Sequence, residues 1–220
     1  MNYILDLDGT LIDSSERHYR LMEMLLKEYV PDILEKRTFL PAVFMQYKAD
    51  GNSGKKYLLE CMDIEEKKAD CIMTAWQQQI EEEQWLRLDR LYPDAENFLE
   101  WLRGKGSDIY YLTARQKKAE LFEELERLHI AEYPKEVKVV QPFHAFEEKK
   151  NFVRALMASV DAVKEQFFVI GDTENEYRLA KELLLPYGIL NRGFRSKRFW
   201  DQKEIVSYGS LEEICHLNAF

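Results

Sequence analysis

The chain has 220 residues, of which 46% are hydrophobic, and this length can bury a core in one domain with a large insertion or in two small domains. A formal net charge of −9 argues against an extended nucleic-acid footprint, because phosphate binding needs a net basic surface or a concentrated basic stripe. No stretch approaches the ~18 apolar residues of a membrane span, and three cysteines without metal-type spacing indicate free thiols in a reducing compartment. We therefore expect a cytoplasmic protein that binds neither nucleic acid nor membrane.

The first predicted element is a short buried strand, residues 3–5, that runs directly into two carboxylates. Asp6 and Asp8 lie on the same side of the chain if the extended conformation continues, and Gly9 and Thr10 follow them. Like charges at that separation repel, so a cation, a shared proton or solvent must offset the repulsion. The pair therefore indicates either a chemical site or a solvated turn.

The next interval contains no convincing strand. Its patterns predict helices over residues 16–29, around 33–47, over 54–62 and from 64 to about 88. A simple crossover helix has only roughly 10–15 residues, so this interval is too long to be one. We predict that residues 15–90 form an inserted α-helical cap domain and that residues 1–14 and 91–220 form the core domain.

Beyond residue 90, short apolar segments alternate with helical patterns. Strands are predicted over residues 109–112, 137–140, 167–170 and 187–190 and, more weakly, over 205–208; helices are predicted over residues 95–103, 116–128, 147–159 and 174–185. Alternation of this kind implies right-handed crossovers and a parallel sheet covered on both faces. The predicted fold class is therefore α/β.

Polar residues follow several of the predicted strands. Ligands of open parallel sheets bind outside the carboxyl ends of the strands, so the residues at these ends are candidates for a site. They include acids, a hydroxyl and an ammonium group, a mixture that suits a phosphoryl group with a divalent cation. The candidates beyond the first strand are Thr113, Ala114, Lys149, Lys150, Asp172 and Glu176.

Four short motifs carry a resemblance to a known family. The sequence Asp6-Leu7-Asp8-Gly9-Thr10, Thr113 after a strand, a lysine at a helix start, and Gly171-Asp172 followed by Glu176 resemble the four ordered motifs of the haloacid dehalogenase superfamily of phosphohydrolases. The resemblance spans the whole chain, including a helical cap between the first two motifs. It implies a Rossmann-like core, Mg²⁺ as the cofactor and an aspartyl-phosphate intermediate.

The resemblance also implies a role for each matching position. Asp6 would be the nucleophile and Asp8 the general acid and base. The Thr113 hydroxyl and a lysine would hold the phosphate oxygens; Lys149 keeps the offset seen in several relatives and is preferred to Lys150. Mg²⁺ would be bound by Asp6, the Asp8 carbonyl and Asp172, with Glu176 where the family usually has Asp.

Further substrate contacts are predicted at Gly9, Thr10 and Ala114. In the cap, residues 51–56 resemble the specificity loop that helical-cap relatives insert into the active site, which makes Lys55 another candidate. The alternatives without a functional role are that Thr113 and Asp172 are helix caps and that Lys55 begins a helix.

The resemblance points to a Mg²⁺-dependent phosphatase that acts on a small phosphorylated metabolite. One alternative is a phosphomutase of the β-phosphoglucomutase kind, which returns the phosphoryl group to a second hydroxyl. Another is a non-catalytic binding protein that retains the fold. The sequence leaves the substrate and the oligomeric state open.

Overall fold

The computed structural model describes residues 1–159 and 167–217, and within them five strands form a parallel sheet. The strands are β1 (Asn2–Leu5), β4 (Asp108–Ala114), β5 (Glu136–Val140), β6 (Phe167–Gly171) and β7 (Tyr187–Ile189). Their order in the sheet is β5-β4-β1-β6-β7, so the amino-terminal strand lies at the centre. Leu5 of β1 is in register with Tyr111 on one side and with Ile170 on the other.

Helices cover both faces of this sheet, as the alternation of elements predicts. Side chains of β1 alternate between the two faces: Tyr3 and Leu5 belong to one apolar cluster, and Ile4 belongs to the other. The first cluster includes residues of α7 (Ala95–Gly104), α8 (Lys118–Arg127) and α12 (Leu211–Leu217). The second includes residues of α9 (Ala145–Ser159) and α10 (Glu174–Leu183). The α/β fold class is therefore confirmed.

The interval between β1 and β4 is mostly helical and has a hydrophobic cluster of its own. Its buried members include Leu25, Phe44, Tyr57 and Ile72. This separate cluster supports the division into cap and core that we propose from the sequence; the proposed core also includes residues 160–166 and 218–220, which lie outside the described residues. The helices are α1 (Ser15–Tyr29), α2 (Pro31–Leu34), α3 (Pro41–Ala49), α4 (Gly54–Glu60), α5 (Glu66–Gln79) and α6 (Glu83–Leu86).

Two long predicted helices of the cap are each divided in the structure. The helix predicted around 33–47 is α2 and α3, and both begin at a proline, a residue that suits the first turn but cannot continue a helix from upstream. The helix predicted from 64 to about 88 is α5 and α6. The turn between them brings Glu81 to the core, where it accepts hydrogen bonds from the amides of Gln116 and Lys117.

A two-stranded antiparallel ribbon joins the cap to the core and was not predicted. It pairs β2 (Ile12–Asp13) with β3 (Arg90–Leu91), the points where the chain leaves the core and returns to it. The prediction of a strand over residues 205–208 is wrong, because only Tyr208 pairs there, in an isolated bridge with Leu190. Val206 is exposed, so the segment lacks a continuous buried face.

One further helix, α11 (Lys197–Asp201), precedes this segment. None of the helices in the described part of the chain has the length and apolar character needed to cross a membrane.

Candidate active site

Three carboxylates converge where β1 and β6 end. The Asp6 amide donates to the carbonyl of Ile170 at 3.0 Å, which continues the pairing of the two strands up to the site. One carboxylate oxygen each from Asp6, Asp172 and Glu176 lies within 4.8 Å of the others. The structure therefore brings these acids together at one edge of the sheet, as predicted. Asp172 and Glu176 are 166 and 170 positions away from Asp6 in the sequence.

Gly9 allows the first loop to approach Asp172. Its φ of +75° lies in the left-handed region, and a Cβ at this position would overlap the Asp172 carboxylate. Asp172 itself is fully buried, and its Oδ2 accepts a hydrogen bond from the Phe194 amide at 2.8 Å. Its Oδ1 is buried and has no hydrogen-bond partner among the described residues. The site thus holds a buried carboxylate oxygen without a partner, which a bound cation would satisfy.

Of the two candidate lysines, only Lys149 reaches these acids. Its Nζ donates to Asp6 Oδ1 at 3.2 Å and to Glu176 Oε1 at 2.7 Å, and its side chain is buried. Lys149 lies four residues from both Ala145 and Val153, on the buried face of α9. Lys150 is turned the other way and pairs with Glu147 and Glu182, so the structure does not bring it to the site.

Burial and like charge make this cluster unfavourable without a further cation. Burial raises the pKa of Asp6, Lys149 opposes the rise and the neighbouring Glu176 and Asp8 add to it, which gives a pKa of about 7. Burial also raises the pKa of Asp172 well above its usual value. Hard oxygen ligands of this kind fit Mg²⁺. Glu176 has a partner on each oxygen, Lys149 and the Thr173 hydroxyl, so its carboxylate also orients the lysine.

The remaining core candidates lie beside this cluster. Thr113 and Ala114 end β4, the strand next to β1, and the Thr113 side chain is buried. The Thr10 hydroxyl is buried and has no hydrogen-bond partner in the described part of the chain, while the Thr10 carbonyl accepts from Arg192 at 2.6 Å. Thr10, the last residue of the first motif, therefore offers a hydroxyl without a partner among the described residues.

Two arginines that the sequence analysis did not select hold Asp8. Arg17 of α1 donates to Asp8 Oδ1 at 2.7 Å, and Arg115 contacts both Asp8 oxygens at 2.9 Å. Burial alone would raise the pKa of Asp8, but Arg115 and Arg17 bring it below its usual value. Arg115 directly follows Thr113 and Ala114 at a strand end, which was an available signal; nothing in the helical pattern of α1 distinguishes Arg17.

A cleft of about 350 Å³ opens beside Asp8 between the cap and the core. Both arginines line it, as do Trp76 and His18 from the cap and Phe143 from the core. Ala114 also lines the cleft, as its position at the end of β4 suggests.

Lys55 is not among the residues that line this cleft. Its ammonium instead pairs with Glu66 and Asp70 of α5, on an exposed part of the cap. The structure therefore does not bring Lys55 together with the other candidates.

Similar folds occur among solved structures of phosphatases. A hydrolase of the haloacid dehalogenase-like family, SP0104 from Streptococcus pneumoniae, has a TM-score of 0.73 and 17% identity, with coverage of 99% of this chain and 98% of that one. A predicted phosphatase from Clostridium acetobutylicum has a TM-score of 0.69 and 19% identity, with coverage of 97% and 95%. A predicted phosphoglycolate phosphatase from Haemophilus somnus has a TM-score of 0.71 and 16% identity, with coverage of 98% and 96%. At these identities the likeness shows the fold.

The family comparison concerns the sequence itself. None of the curated proteins compared with the chain matches it. The family model described as haloacid dehalogenase-like hydrolase matches residues 2–183, which include all four motifs and the whole predicted cap. The chain therefore belongs to the haloacid dehalogenase-like hydrolase family.

Proposed function

We propose that the protein is a Mg²⁺-dependent phosphatase that hydrolyses a small phosphorylated metabolite in the cytoplasm through an aspartyl phosphate on Asp6. The observation that carries the proposal is the joint placement of Asp6, Lys149, Asp172 and Glu176 at the carboxyl ends of β1 and β6. A nucleophile, a cation and a set of oxygen ligands in one place match the needs of phosphoryl transfer, which depends mainly on positioning and charge neutralisation.

The acidic set would hold the metal ion. Asp6 and Asp172 would contribute carboxylate oxygens and Asp8 its backbone carbonyl, with Glu176 as a further candidate beside them. When bound, Mg²⁺ supplies positive charge that neutralises the phosphoryl oxygens. The partnerless Oδ1 of Asp172 and the raised pKa values of Asp6 and Asp172 are what a missing positive charge would produce.

The first step would be attack of the Asp6 carboxylate on phosphorus. The bond from phosphorus to the leaving oxygen breaks, and Asp8 gives that oxygen a proton, so the alcohol leaves and the phosphoryl group stays on Asp6. Lys149 and the Thr113 hydroxyl would hold the non-bridging oxygens. In the second step Asp8 takes a proton from water, the water oxygen attacks phosphorus, and free phosphate and the Asp6 carboxylate are released.

The arginines around Asp8 affect which of its two proton transfers is favoured. Arg17 and Arg115 stabilise the ionised carboxylate, which is the form that accepts a proton from water. The earlier donation requires a protonated Asp8, and phosphate oxygens that draw an arginine away from Asp8 would favour that form. Substrate binding and protonation of Asp8 are thus linked through the same guanidinium groups.

The test is hydrolysis of a panel of phosphomonoesters with Mg²⁺, followed by release of inorganic phosphate. We expect turnover that chelation of the metal removes and added Mg²⁺ restores. Asp6→Asn should lose roughly 10⁴-fold in kcat, because the amide cannot act as the nucleophile. Asp13→Asn is the matched control, since Asp13 lies in β2 and asparagine can still accept the hydrogen bond that Asp13 receives from the Ser15 amide.

Other products would identify the alternatives. Transfer of the phosphoryl group to a second hydroxyl without phosphate release would indicate a phosphomutase. Binding of phosphate esters without turnover would indicate a non-catalytic binding protein. Equal activity in Asp6→Asn and the unmodified protein would contradict the proposed nucleophile.

A further inference from the structure

A partly buried lysine of the cap has no carboxylate partner in the described part of the chain. Lys48 lies near the end of α3, and among the described residues its ammonium makes no ion pair. Its Nζ is 2.8 Å from Nδ1 of His18. Burial, together with the neighbouring Arg195 and Arg17, lowers the pKa of Lys48 to about 7. A buried ammonium is costly unless an anion or strong dipoles offset its lost hydration.

Aromatic rings surround this ammonium. Its Nζ lies 4.9 Å from the ring centroid of Phe194, 5.5 Å from that of Phe44 and 5.6 Å from that of Trp76. Cation–π contacts offset part of the cost of burial but supply no counter-charge. The rings also fix the position of the amine, so the group is held ready for an anion.

The ammonium lies next to the candidate active site. His18 and Trp76 line the same cleft as Asp8, and the Phe194 amide donates to Asp172. The site residues therefore border Lys48 from two sides. Lys48 itself does not line the cleft, so a group attached to a substrate there would meet the His18 ring, and the Lys48 ammonium lies 2.8 Å from Nδ1 of that ring.

The other cations near Lys48 already have acidic partners. Arg17 pairs with Asp8 and with Asp89, and Arg195 pairs with Glu174. Burial and the nearby cations keep the pKa of His18 well below its usual value, so its imidazole is neutral. When Nδ1 accepts a hydrogen bond from the Lys48 ammonium, the ring hydrogen is on Nε2, where it can be donated to an anion.

We propose that Lys48 and His18 form a second anion subsite, so that the substrate is a small phosphomonoester carrying another anionic group, a carboxylate or a second phosphate. The inference rests on the proposed phosphatase function and assigns the charge-recognising role to Lys48 rather than to Lys55. The phosphoryl group occupies the end near Asp6 and Lys149, and the second anion supplies the negative charge that Lys48 lacks.

The test compares esters that differ in one charge. Phosphoglycolate is paired with 2-hydroxyethyl phosphate, and propane-1,3-diol bisphosphate is paired with 3-hydroxypropyl phosphate, so the two pairs separate carboxylate from phosphate recognition. We expect the protein to prefer the more acidic ester of at least one pair by about tenfold or more in kcat/KM. In Lys48→Met the ratio should fall to near one, chiefly through KM, while Lys48→Arg should retain most of the preference.

Lys56→Met is the control for loss of one lysine from the same part of the cap. Its ammonium lies on the exposed side of α4 near Asn52 and Glu60, so the charge preference should be retained. A ratio near one in both pairs, or an unchanged ratio in Lys48→Met, would overturn the inference.

A second measurement separates the subsite from the phosphatase proposal. If none of the four esters is hydrolysed, calorimetric binding of the same esters to the unmodified protein tests the subsite alone, and the wider panel of phosphomonoesters decides the phosphatase proposal. Tighter binding of an acidic ester than of its neutral counterpart, lost in Lys48→Met, would support the subsite. Equal binding within both pairs would contradict it.

Discussion

Lys48 gives the protein a pH dependence that can be derived from one side chain. The groups that face it are His18 and Arg17 of α1, Arg195, and Asp8 beyond them. Its folded pKa of about 7 is below the ordinary value for lysine, so between about pH 7 and 10.5 the unfolded chain binds more protons than the folded one. The free energy of unfolding therefore increases as the pH rises from about 7 to 10.5. Below about pH 7 the charged Lys48 destabilises the folded protein to the full extent.

We expect Lys48→Met to be most stabilised relative to the unmodified protein at pH 6.5, with the difference shrinking by at most about 1.4 kcal/mol per pH unit toward pH 8.5. Urea unfolding at both pH values measures this, without substrate or metal. Lys56→Met controls for the loss of one positive charge. A constant difference between Lys48→Met and the unmodified protein across the two pH values would contradict the buried ammonium.

Some individual site residues could be identified from the sequence because a strand end or a motif marks their position. Asp6, Asp172 and Lys149 are of this kind, and the structure brings them together. Lys48 and Arg17 could not be found this way, because each lies on a cap helix and meets the site only through the packing of cap on core. Lys55 was selected because its local sequence resembles a specificity loop. In the structure it pairs with Glu66 and Asp70 of α5 and does not reach the site.

At the scale of elements, the turn between α5 and α6 docks the cap on the loop after β4. Glu81 is buried there, and its carboxylate accepts from the Gln116 amide at 2.9 and 3.0 Å and from the Lys117 amide at 2.7 Å. These amides precede α8, so one carboxylate serves donors that the start of the next helix leaves free. The same loop carries Arg115, so the hydrogen bonds of Glu81 also help to hold Arg115 in contact with Asp8.

Glu81→Ala should loosen this dock. We expect a loss of about 0.5–1.5 kcal/mol in the free energy of unfolding, because the amides of this partly buried contact lose their acceptor. Hydrogen exchange should become faster at the amides of Gln116 and Lys117, and the mass shift of a peptide that spans them measures it. Glu83→Ala is the control, since Glu83 is exposed and pairs with Arg87. Equal exchange in the two variants would show that the dock does not hold the loop.

The order of elements was predictable, and the limits of several elements were not. The central strands could be predicted from their short apolar segments. A parallel strand that is buried on both faces is apolar along its whole length, so its own sequence identifies it. The division of the long cap helices and the short ribbon of β2 and β3 depend on contacts across the cap–core boundary. For residues 205–208 the error is the prediction of a strand that does not form. Their residue types favour β structure, but only Tyr208 pairs with another residue, in a single bridge to Leu190.

At the scale of the whole molecule, Arg17 joins the cap to the core through charge. Arg17 lies in the first turn of α1, and its guanidinium pairs with Asp8 of the first motif and with Asp89 just before β3. Arg17 and Asp89 are both buried, and burial raises the pKa of Asp89 to about 9, with Asp8 and Glu124 raising it and Arg17 opposing the rise. Removal of the guanidinium would leave two acids close together in the interior.

We expect Arg17→Met to lower the free energy of unfolding by about 3–5 kcal/mol, the usual effect of breaking a buried pair from one side. Urea unfolding near neutral pH measures the loss. The double variant Arg17→Met with Asp89→Asn should lose about as much, because a pKa of about 9 already keeps Asp89 uncharged at this pH. Arg20→Met, on the exposed side of α1, should lose no more than about 1 kcal/mol. A similar loss in Arg17→Met and Arg20→Met would contradict the buried network.

The ribbon of β2 and β3 has a consequence for how such a protein can change over time. Because Ile12 pairs with Leu91, the two ends of the intervening segment are held one strand spacing apart, about 4.8 Å. Any insert whose own termini are adjacent could be exchanged at this junction without altering the central strands. In the proposed phosphatase, most of the substrate selectivity would then be encoded in a stretch of the gene separate from the core motifs, and that stretch could diversify while the motifs are retained.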